Sequence, residues 1–425
     1  MLFTGPAAGN ALNDDNAVTA SPPAVDSGDG IESARSDEEI RRSIERYRRR
    51  VDQLQAEHGA YHAQLSEALL SLGLSLSALD NHTEAADSFR TALHISRINH
   101  GLHSMEQLPY LELLIQENSI VNNLEELHKN YQYLYWLHKR NYGDNDPRLL
   151  PVISRAARWH LDNYRTTPAI SPYTQLRNAE DLYNKAIDII ETHYGEQDPR
   201  LIDPLYELAL SHYYTAVMAD REEEFKIESE FRVSTRADYY EEDSAIDRIL
   251  ESYYKGKQAL DRIVEIHEAH GEESEADAEL SPRSHAVALT YLGDWNMLFD
   301  RPRSAVDKYS QAYALLEGNG AGNETLQNIF GNPQRLPTIA LPDQRQAQPE
   351  ESRERDDLPY AIVAFDVLSN GRVRNIRVIE AKPEDNVRVV RTARRLVAGT
   401  KFRPRFEDGK PVTTTDVNMK YIINE

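Results

Sequence analysis

The sequence predicts a mostly α-helical chain, a tandem α-α solenoid, followed by a small α+β unit of order β-β-α-β. Three observations predict it. Glycines recur behind amphipathic stretches at a fixed spacing, Gly59, Gly101 and Gly143 being 42 residues apart, and a fixed period of that size is the signature of stacked helical repeats. One joint phrase is written twice, as NYGDNDPRLL at 141–150 and HYGEQDPRLI at 193–202. Beyond residue 357 the apolar pattern changes from helical spacing to strict alternation, the mark of strands.

Bulk properties bound the function. A chain of 425 residues is too long for one compact core. A net charge of −22 argues against nucleic acid as the main partner, because phosphate contacts need clustered Lys and Arg. It also disfavours anionic membrane surfaces. With no cysteine there are no disulfides, thiolate zinc sites or cysteine nucleophiles. No apolar run approaches the ~20 residues of a membrane-spanning helix, so no direct span is expected. The opening MLFTGPAAGNALNDDNA has neither a charged n-region nor a full apolar h-region, and as written is not a signal peptide.

Residues 1–35 are mostly Ala, Asp, Ser, Gly and Pro, and read as disordered. Ser36 with Glu39 fits a capping box opening a lone helix, whose apolar stripe is Ile40, Ile44, Tyr47, Val51 and Leu54. The paired-helix region then runs to residue 317, so that 36–317 forms the solenoid. At each joint Gly stops a helix where the backbone turns left-handed. Asp146-Pro147 and Asp198-Pro199 then start the next one as N-cap and first helical residue. From Gly143 to Gly195 is 52 residues, which implies a ten-residue insertion near 164–173, where two prolines break the helical pattern. A fifth joint, Gly271, lies 76 residues further on, so a larger acidic insertion occupies 219–250. That insertion reads as an extended helix pair or a loop; the sharper alternative is a docking segment for a basic partner. Twelve residues before four of the glycines stand Tyr47, Phe89, Tyr131 and Tyr183, expected between the helices of a unit. Ser43, Ala85, Leu127 and Ala179 precede them by four, and Arg50, Ala92, Leu134 and Ala186 follow by three; the small ones let helices approach closely.

Two stretches carry a family resemblance. LLSLGLSLSALDNHTEAADSFRTAL has Leu72-Gly73, Ala85, Phe89 and Ala92, and LTYLGDWNMLFDRPRSAVDKYSQAYALL has Leu292-Gly293, Ala305, Tyr309 and Ala312. Both resemble tetratricopeptide repeats, and the longer period with its Tyr-Gly joint is similar to that of kinesin light chains. The resemblance implies a groove, lined by the first helix of each unit, that receives protein or peptide partners. In the best-matched units the groove residues would be Glu67, Leu70 and Leu74, then Thr290, Asp294 and Met297.

Residues 318–357, rich in Gly, Pro, Gln and charge, read as a linker. In 358–425, YAIVAFDV and RVRNIRVIEA flank Asn370-Gly371, a type I′ hairpin signal. A helix follows with Val387, Val390, Ala393 and Val397 at helical spacing, then a last strand beyond Asp408-Gly409. The NGRV turn, Phe402 to Pro404, Gly409 to Pro411 and the final strand resemble the TonB C-terminal domain. That family usually opens with a Tyr-Pro segment, where this chain has Leu358-Pro359-Tyr360-Ala361. The resemblance implies periplasmic contact with an outer-membrane transporter, a partner strand adding along an exposed sheet edge. The matching strand is Thr415 to Ile423, with Asp416, Asn418 and Lys420 as its partner-facing residues. Residues 360–425 hold 13 Lys and Arg against 8 Asp and Glu, a local +5, while the rest of the chain carries −27. Arg388, Arg391 and Arg395 share one helix face; this is a solvated face or a patch for an acidic partner.

No Walker loop, nucleophile elbow or His-Glu-x-x-His motif occurs. HEAH at 267–270 spaces two histidines by three and lacks a third ligand, with His270 suited to a helix end. GNGAG at 318–322 has no preceding strand to make it a phosphate loop. His58, His100 and His193 read as turn residues. No catalytic residue, metal or cofactor is therefore expected. The expected function is a non-enzymatic protein-interaction scaffold of the bacterial cell envelope, located in the periplasm or envelope-associated. The alternative is a TonB-type envelope transport component that contacts an outer-membrane transporter.

Overall fold

The computed structural model describes residues 29–167, 170–228, 245–270, 281–318, 322–337, 359–384 and 386–423. They belong to two compact units, the first comprising Met1–Ala156 with Thr166–Ala169, the second Ala157–Arg165 with Ile170–Glu425.

In the first unit, helix α1 (Asp29–His58) packs on α2 (Gln64–Ser77), α2 pairs with α3 (His82–His100), and α4 (Leu108–Ile120) pairs with α5 (Leu124–Tyr142). The α1 stripe is as expected: Ile44 and Leu54 are buried and Ile40, Tyr47 and Val51 half-buried. The start is not. The helix opens at Asp29 rather than at a Ser36/Glu39 capping box. The rest of the segment expected to be disordered, 1–28, lies outside the described residues.

Within the α2–α3 pair, Gly73 lies against the Phe89 ring. A Cβ there would come within 2.5 Å of it, and Phe89, Ala85 and Ala92 are fully buried. The α4–α5 pair has Leu127 and Leu134 where those alanines stand, and its Tyr131 is only half-buried. Bulkier neighbours leave the aromatic less room.

The joints explain the repeated phrase. Gly59, Gly101, Gly143 and Gly195 have φ of +86°, +93°, +95° and +108°. At the last three ψ is 157°, 172° and 163°, an extended positive-φ conformation that belongs almost wholly to glycine. The Asp146 carboxylate accepts the Arg148 backbone N–H at 2.9 Å, and Asp198 does the same for Arg200. Each Asp thus caps a 3₁₀ turn (Pro147–Leu149, Pro199–Leu201) that feeds helix α6 (Leu150–Asp162) or α8 (Ile202–Glu228). The Arg148 side chain returns to Asp146 at 2.8 Å and lies 4.0 Å over the Tyr142 ring. Arg200 repeats this over Tyr194 at 4.1 Å, and Leu149 and Leu201 are fully buried. The repeated letters of the phrase thus have physical tasks. In the first unit successive joints are also tied: Asn99 Nδ2 donates to the Tyr61 carbonyl at 2.8 Å and Asn141 Nδ2 to the His103 carbonyl at 2.9 Å. Each acceptor lies two residues past the preceding joint glycine.

The second unit contains the end of α6, residues 163–165 and 170–171 at the borders of the expected smaller insertion, α7 (Pro172–Tyr194), α8, α9 (Ala245–His270), α10 (Pro282–Leu298) and α11 (Pro302–Gly318). Tyr183 is buried between Ala179 and Ala186. The larger insertion is flanked by a long helix pair, α8 against α9; its centre, 229–244, and the joint at Gly271 lie outside the described residues. Gly256 on α9 touches Trp295 on α10, whose indole N–H donates to the Tyr253 carbonyl at 3.1 Å. The α10–α11 pair repeats the α2–α3 lock: a Cβ on Gly293 would meet the Tyr309 ring at 2.4 Å.

The stretch read as a linker is partly folded. Helix α12 (Gly322–Phe330) and strand β1 (Gln334–Arg335) occupy it, with Phe330 and Leu336 buried. Its Gly, Pro and Gln content concealed a short apolar spacing at Leu326, Ile329 and Phe330. Strands β2 (Tyr360–Val367), β3 (Val373–Lys382) and β7 (Thr414–Ile422) form an antiparallel sheet in the order β3-β2-β7. Helix α13 (Val387–Gly399) contributes Val389, Ala393 and Val397 to the core beside Val363, Phe365, Val367, Phe402 and Tyr421. Val387, placed on the apolar face by sequence, is exposed, and Val389 takes its position. Between α13 and β7 come three short strands: β4 (Phe402–Arg403), which pairs with β1, and the hairpin of β5 (Arg405–Glu407) with β6 (Lys410–Val412).

The type I′ turn expected at Asn370-Gly371 does not form there; one forms at Asp408-Gly409. At Asn370-Gly371 only the glycine has positive φ, +75°. Leu368 N–H donates to the Arg372 carbonyl at 2.9 Å, closing a three-residue loop. Asp408 and Gly409 both have positive φ, +48° and +71°, as a type I′ turn requires.

Candidate partner-binding site

The C-terminal domain is seated on the last helix pair, and one ion pair keys the seat. Arg403, 4% exposed, donates from Nε to Asp294 Oδ1 at 2.9 Å and from a terminal nitrogen to Asp294 Oδ2 at 2.6 Å. Its other terminal nitrogen donates to the Ile329 carbonyl at 3.1 Å. Tyr309 Oη donates to the same Asp294 at 2.8 Å. Burial works against the guanidinium charge, but the Asp294 carboxylate more than offsets it, and Arg403 titrates above its ordinary value. Burial first, then the Asp294 charge, pushes the Tyr309 phenol well up. Phe406 stacks among Tyr309, Tyr313 and Phe330 with ring centroids 5.1–6.2 Å apart. The β2–β3 hairpin tip touches α10, since a Cβ on Gly371 would lie 2.8 Å from Met297 Sδ. Lys401 pairs with Asp300.

This seat takes two of the expected groove residues, Asp294 and Met297. Thr290, Asp294 and Met297 are buried, and Asp294 is held by the chain's own arginine. The sequence expectation that they face an outside partner is corrected: the position is filled from within. On α2, Glu67 and Leu74 are exposed and Leu70 half-buried, so those three remain open.

The other expected surface is an edge strand. Among the described residues β7 pairs with β2 alone, and its own residues alternate. Val417, Met419 and Tyr421 turn to the core, while Asp416, Asn418 and Lys420 are exposed. Asp416 has φ +55° at a register shift, and its N–H donates to Asp366 Oδ1 at 3.1 Å. A hydrogen bond from Asn375, then this backbone bond, holds the Asp366 carboxyl below its usual range. Arg377 on β3 pairs with Asp416, and Lys420 Nζ lies 4.3 Å over the Tyr360 ring. The bulge twists one end of the edge and leaves Val417 to Ile422 as its regular part. On α13, Arg388, Arg391, Arg394 and Arg395 are exposed, and none makes an ion pair with another of the described residues.

Sequence reasoning missed the Arg403–Asp294 pair, although both residues stood inside quoted motifs. The available signal was a lone acid amid apolar α10 residues and two arginines, Arg403 and Arg405, set between Phe402 and Phe406. It also missed His267 and His285, which stack at 5.9 Å with an interplanar angle of 7°. Among the described residues no group of three or more His, Cys, Asp or Glu could hold a metal ion, and no helix is long and apolar enough to cross a membrane.

Residues 345–423 match the family described as Gram-negative bacterial TonB protein C-terminal. A search of curated proteins gave no match. Among solved structures, the chain is similar to BtubC (BKLC) from P. vanneervenii, at 14% identity and a TM-score of 0.35, over 68% of this chain and 92% of that one. It is similar also to a kinesin light chain with nearly identical TPR-like repeats from Podosopora anserina, at 12% identity and a TM-score of 0.38, over 61% of this chain and 99% of that one. Likeness at that level carries no argument, and the helix-pair architecture stands on the Gly73–Phe89 and Gly293–Tyr309 packing.

Proposed function

We propose that the chain is a non-enzymatic, TonB-type envelope component whose C-terminal domain contacts an outer-membrane transporter in the periplasm through β7. The observation that carries this reading is the match of residues 345–423 to the TonB C-terminal family. The geometry of β7 supports it. An edge strand with regular backbone from Val417 to Ile422 offers main-chain groups to a partner strand, and such pairing tolerates varied partner sequences. Bound partner side chains would lie beside Asn418 and Lys420, with the four α13 arginines as a further contact for acidic partners. The helix pairs serve as the body that carries this domain. Glu67, Leu70 and Leu74 are the groove positions left for a protein or peptide.

The test is photocrosslinking in the native envelope. A benzophenone amino acid at Asn418 should capture an outer-membrane protein, whereas the same group at Asp188 on exposed α7 surface should not. Capture of only soluble proteins from position 418 would defeat the proposal.

A further inference from the structure

The first unit holds a cleft of its own. Helices α3 and α5 border a cleft of about 470 Å³ whose lining includes Leu93, Leu114, Arg90, His94, Arg97 and Asn130. Leu93 and Leu114 are buried and make the floor apolar. The rim is cationic, which stands out in a chain of net charge −22. Arg97 is already positioned: its Nε donates to Gln107 Oε1 at 3.1 Å and its guanidinium lies 4.1 Å over the Tyr133 ring, which leaves its terminal nitrogens as donors. Arg90, tethered to Asp87 one turn earlier, stands two turns before it on the same helix. His94 lies between them. Glu126, also in the lining, has its carboxylate paired with Lys129 at 2.9 Å.

Asn130 makes this a site rather than a solvated groove. It is 7% exposed, and its Nδ2 has no hydrogen-bond partner. A buried N–H donor without an acceptor costs on the order of 1–3 kcal/mol, so the fold sustains a cost here that an incoming acceptor would relieve. An apolar floor, two arginines, a histidine and an orphaned amide donor together fit an anionic oxygen ligand. We infer that this cleft binds a carboxylate-bearing segment of a protein partner, an acidic peptide whose side chain is held by Arg90 and Arg97 and accepts from Asn130. The cleft's volume admits one or two such side chains with their backbone, and its walls are helices, which hold donors in place better than loops.

The test uses the full chain and a fluorescein-labelled hexaglutamate peptide, followed by fluorescence anisotropy at low salt, with hexaglutamine as the uncharged control. Hexaglutamate should bind and hexaglutamine should not. Arg97→Gln and Arg90→Gln should each weaken binding by tenfold or more, and Arg90→Gln, whose only tie is on the surface, keeps the test valid if the Arg97 variant unfolds. Asn130→Leu should weaken binding several-fold while the thermal midpoint stays level or rises; a merely structural asparagine would lower it. Neutralising Arg388, Arg391 and Arg395 together should leave binding intact. Equal binding of the two peptides overturns the inference. So does a loss that follows the α13 variant instead of Arg90 and Arg97, or binding of inorganic phosphate without hexaglutamate.

Discussion

At the scale of single residues, two kinds of glycine hold this chain, and they fail differently. Gly143 has open space around it but a backbone at φ +95°. Gly143→Ala should therefore cost about 1–3 kcal/mol through strain alone. Gly293 has ordinary helical geometry but no room, its absent Cβ falling 2.4 Å from the Tyr309 ring. Gly293→Ala should cost a similar 1–3 kcal/mol through overpacking, and Tyr309→Leu in the same chain should recover part of it. The same Tyr309→Leu change should not rescue Gly143→Ala. Thermal melts of the four variants decide the matter; rescue of both would show that the glycines act alike. Both roles were legible in the sequence, because each leaves a spacing: 42 residues between joints, and a fixed offset from Gly73 to Phe89 and from Gly293 to Tyr309. Arg403 and Asp294 left none. They are 109 residues apart, and a contact between remote segments has no local period to betray it.

At the scale of elements, packing between neighbours sets a pH response. His267 on α9 and His285 on α10 lie face to face, and His267 Nδ1 and His285 Nε2 are buried without a hydrogen-bond partner. Burial first, then the charges of His285 and His270, lowers the His267 pKa to about 4. Burial also lowers that of His285, where Lys308 adds to the effect and Glu268 opposes it. An unfolded histidine titrates near 6.5. Between about 6.5 and 4 the unfolded chain thus binds more protons than the folded one, and stability falls as pH falls through that window. The thermal midpoint of the full chain should drop on going from pH 7 to pH 4. His267→Leu should make that drop shallower. An identical pH slope in the variant would show that the pair does not carry the response. The joints make a second element-scale prediction. Asn141→Ala removes the bond to the His103 carbonyl and should cost about 0.5–1.5 kcal/mol, read as faster hydrogen exchange at the ends of α3 and α5. The histidine pair went unread because HEAH was judged for metal spacing along one helix, whereas its partner came from the next helix. The folded piece of the supposed linker, α12 and β1, went unread because a nine-residue helix among Gly, Pro and Gln is too short for its periodicity to outweigh composition.

At the scale of the molecule, the sequence separates the last helix pair from the C-terminal domain, and the structure joins them in one compact unit. The junction is built like a core. Phe406 is inserted among Tyr309, Tyr313 and Phe330, β1 adds to β4, and a bidentate ion pair is closed off from water. A buried pair of this kind contributes little net stability but is costly to break, because the surviving charge has nowhere to go. Arg403→Ala would leave the Asp294 carboxylate buried without its guanidinium partner, and should cost about 3–5 kcal/mol. Replacing both partners, Arg403→Met with Asp294→Leu, removes the stranded charge and should return most of that loss, in keeping with the near-neutral exchange of buried pairs for packed apolar side chains. Denaturant unfolding gives the magnitudes, and hydrogen exchange locates them. The single variant should speed exchange in α10, α11 and β4 together, because those elements share the contact, while the amides of α2 and α3 stay as protected as before. If Arg403→Ala left α10 unchanged and loosened only the sheet, the domain would be resting on the helices rather than locked to them, and Asp294 would be free for the outside partner that its place in the repeat first suggested.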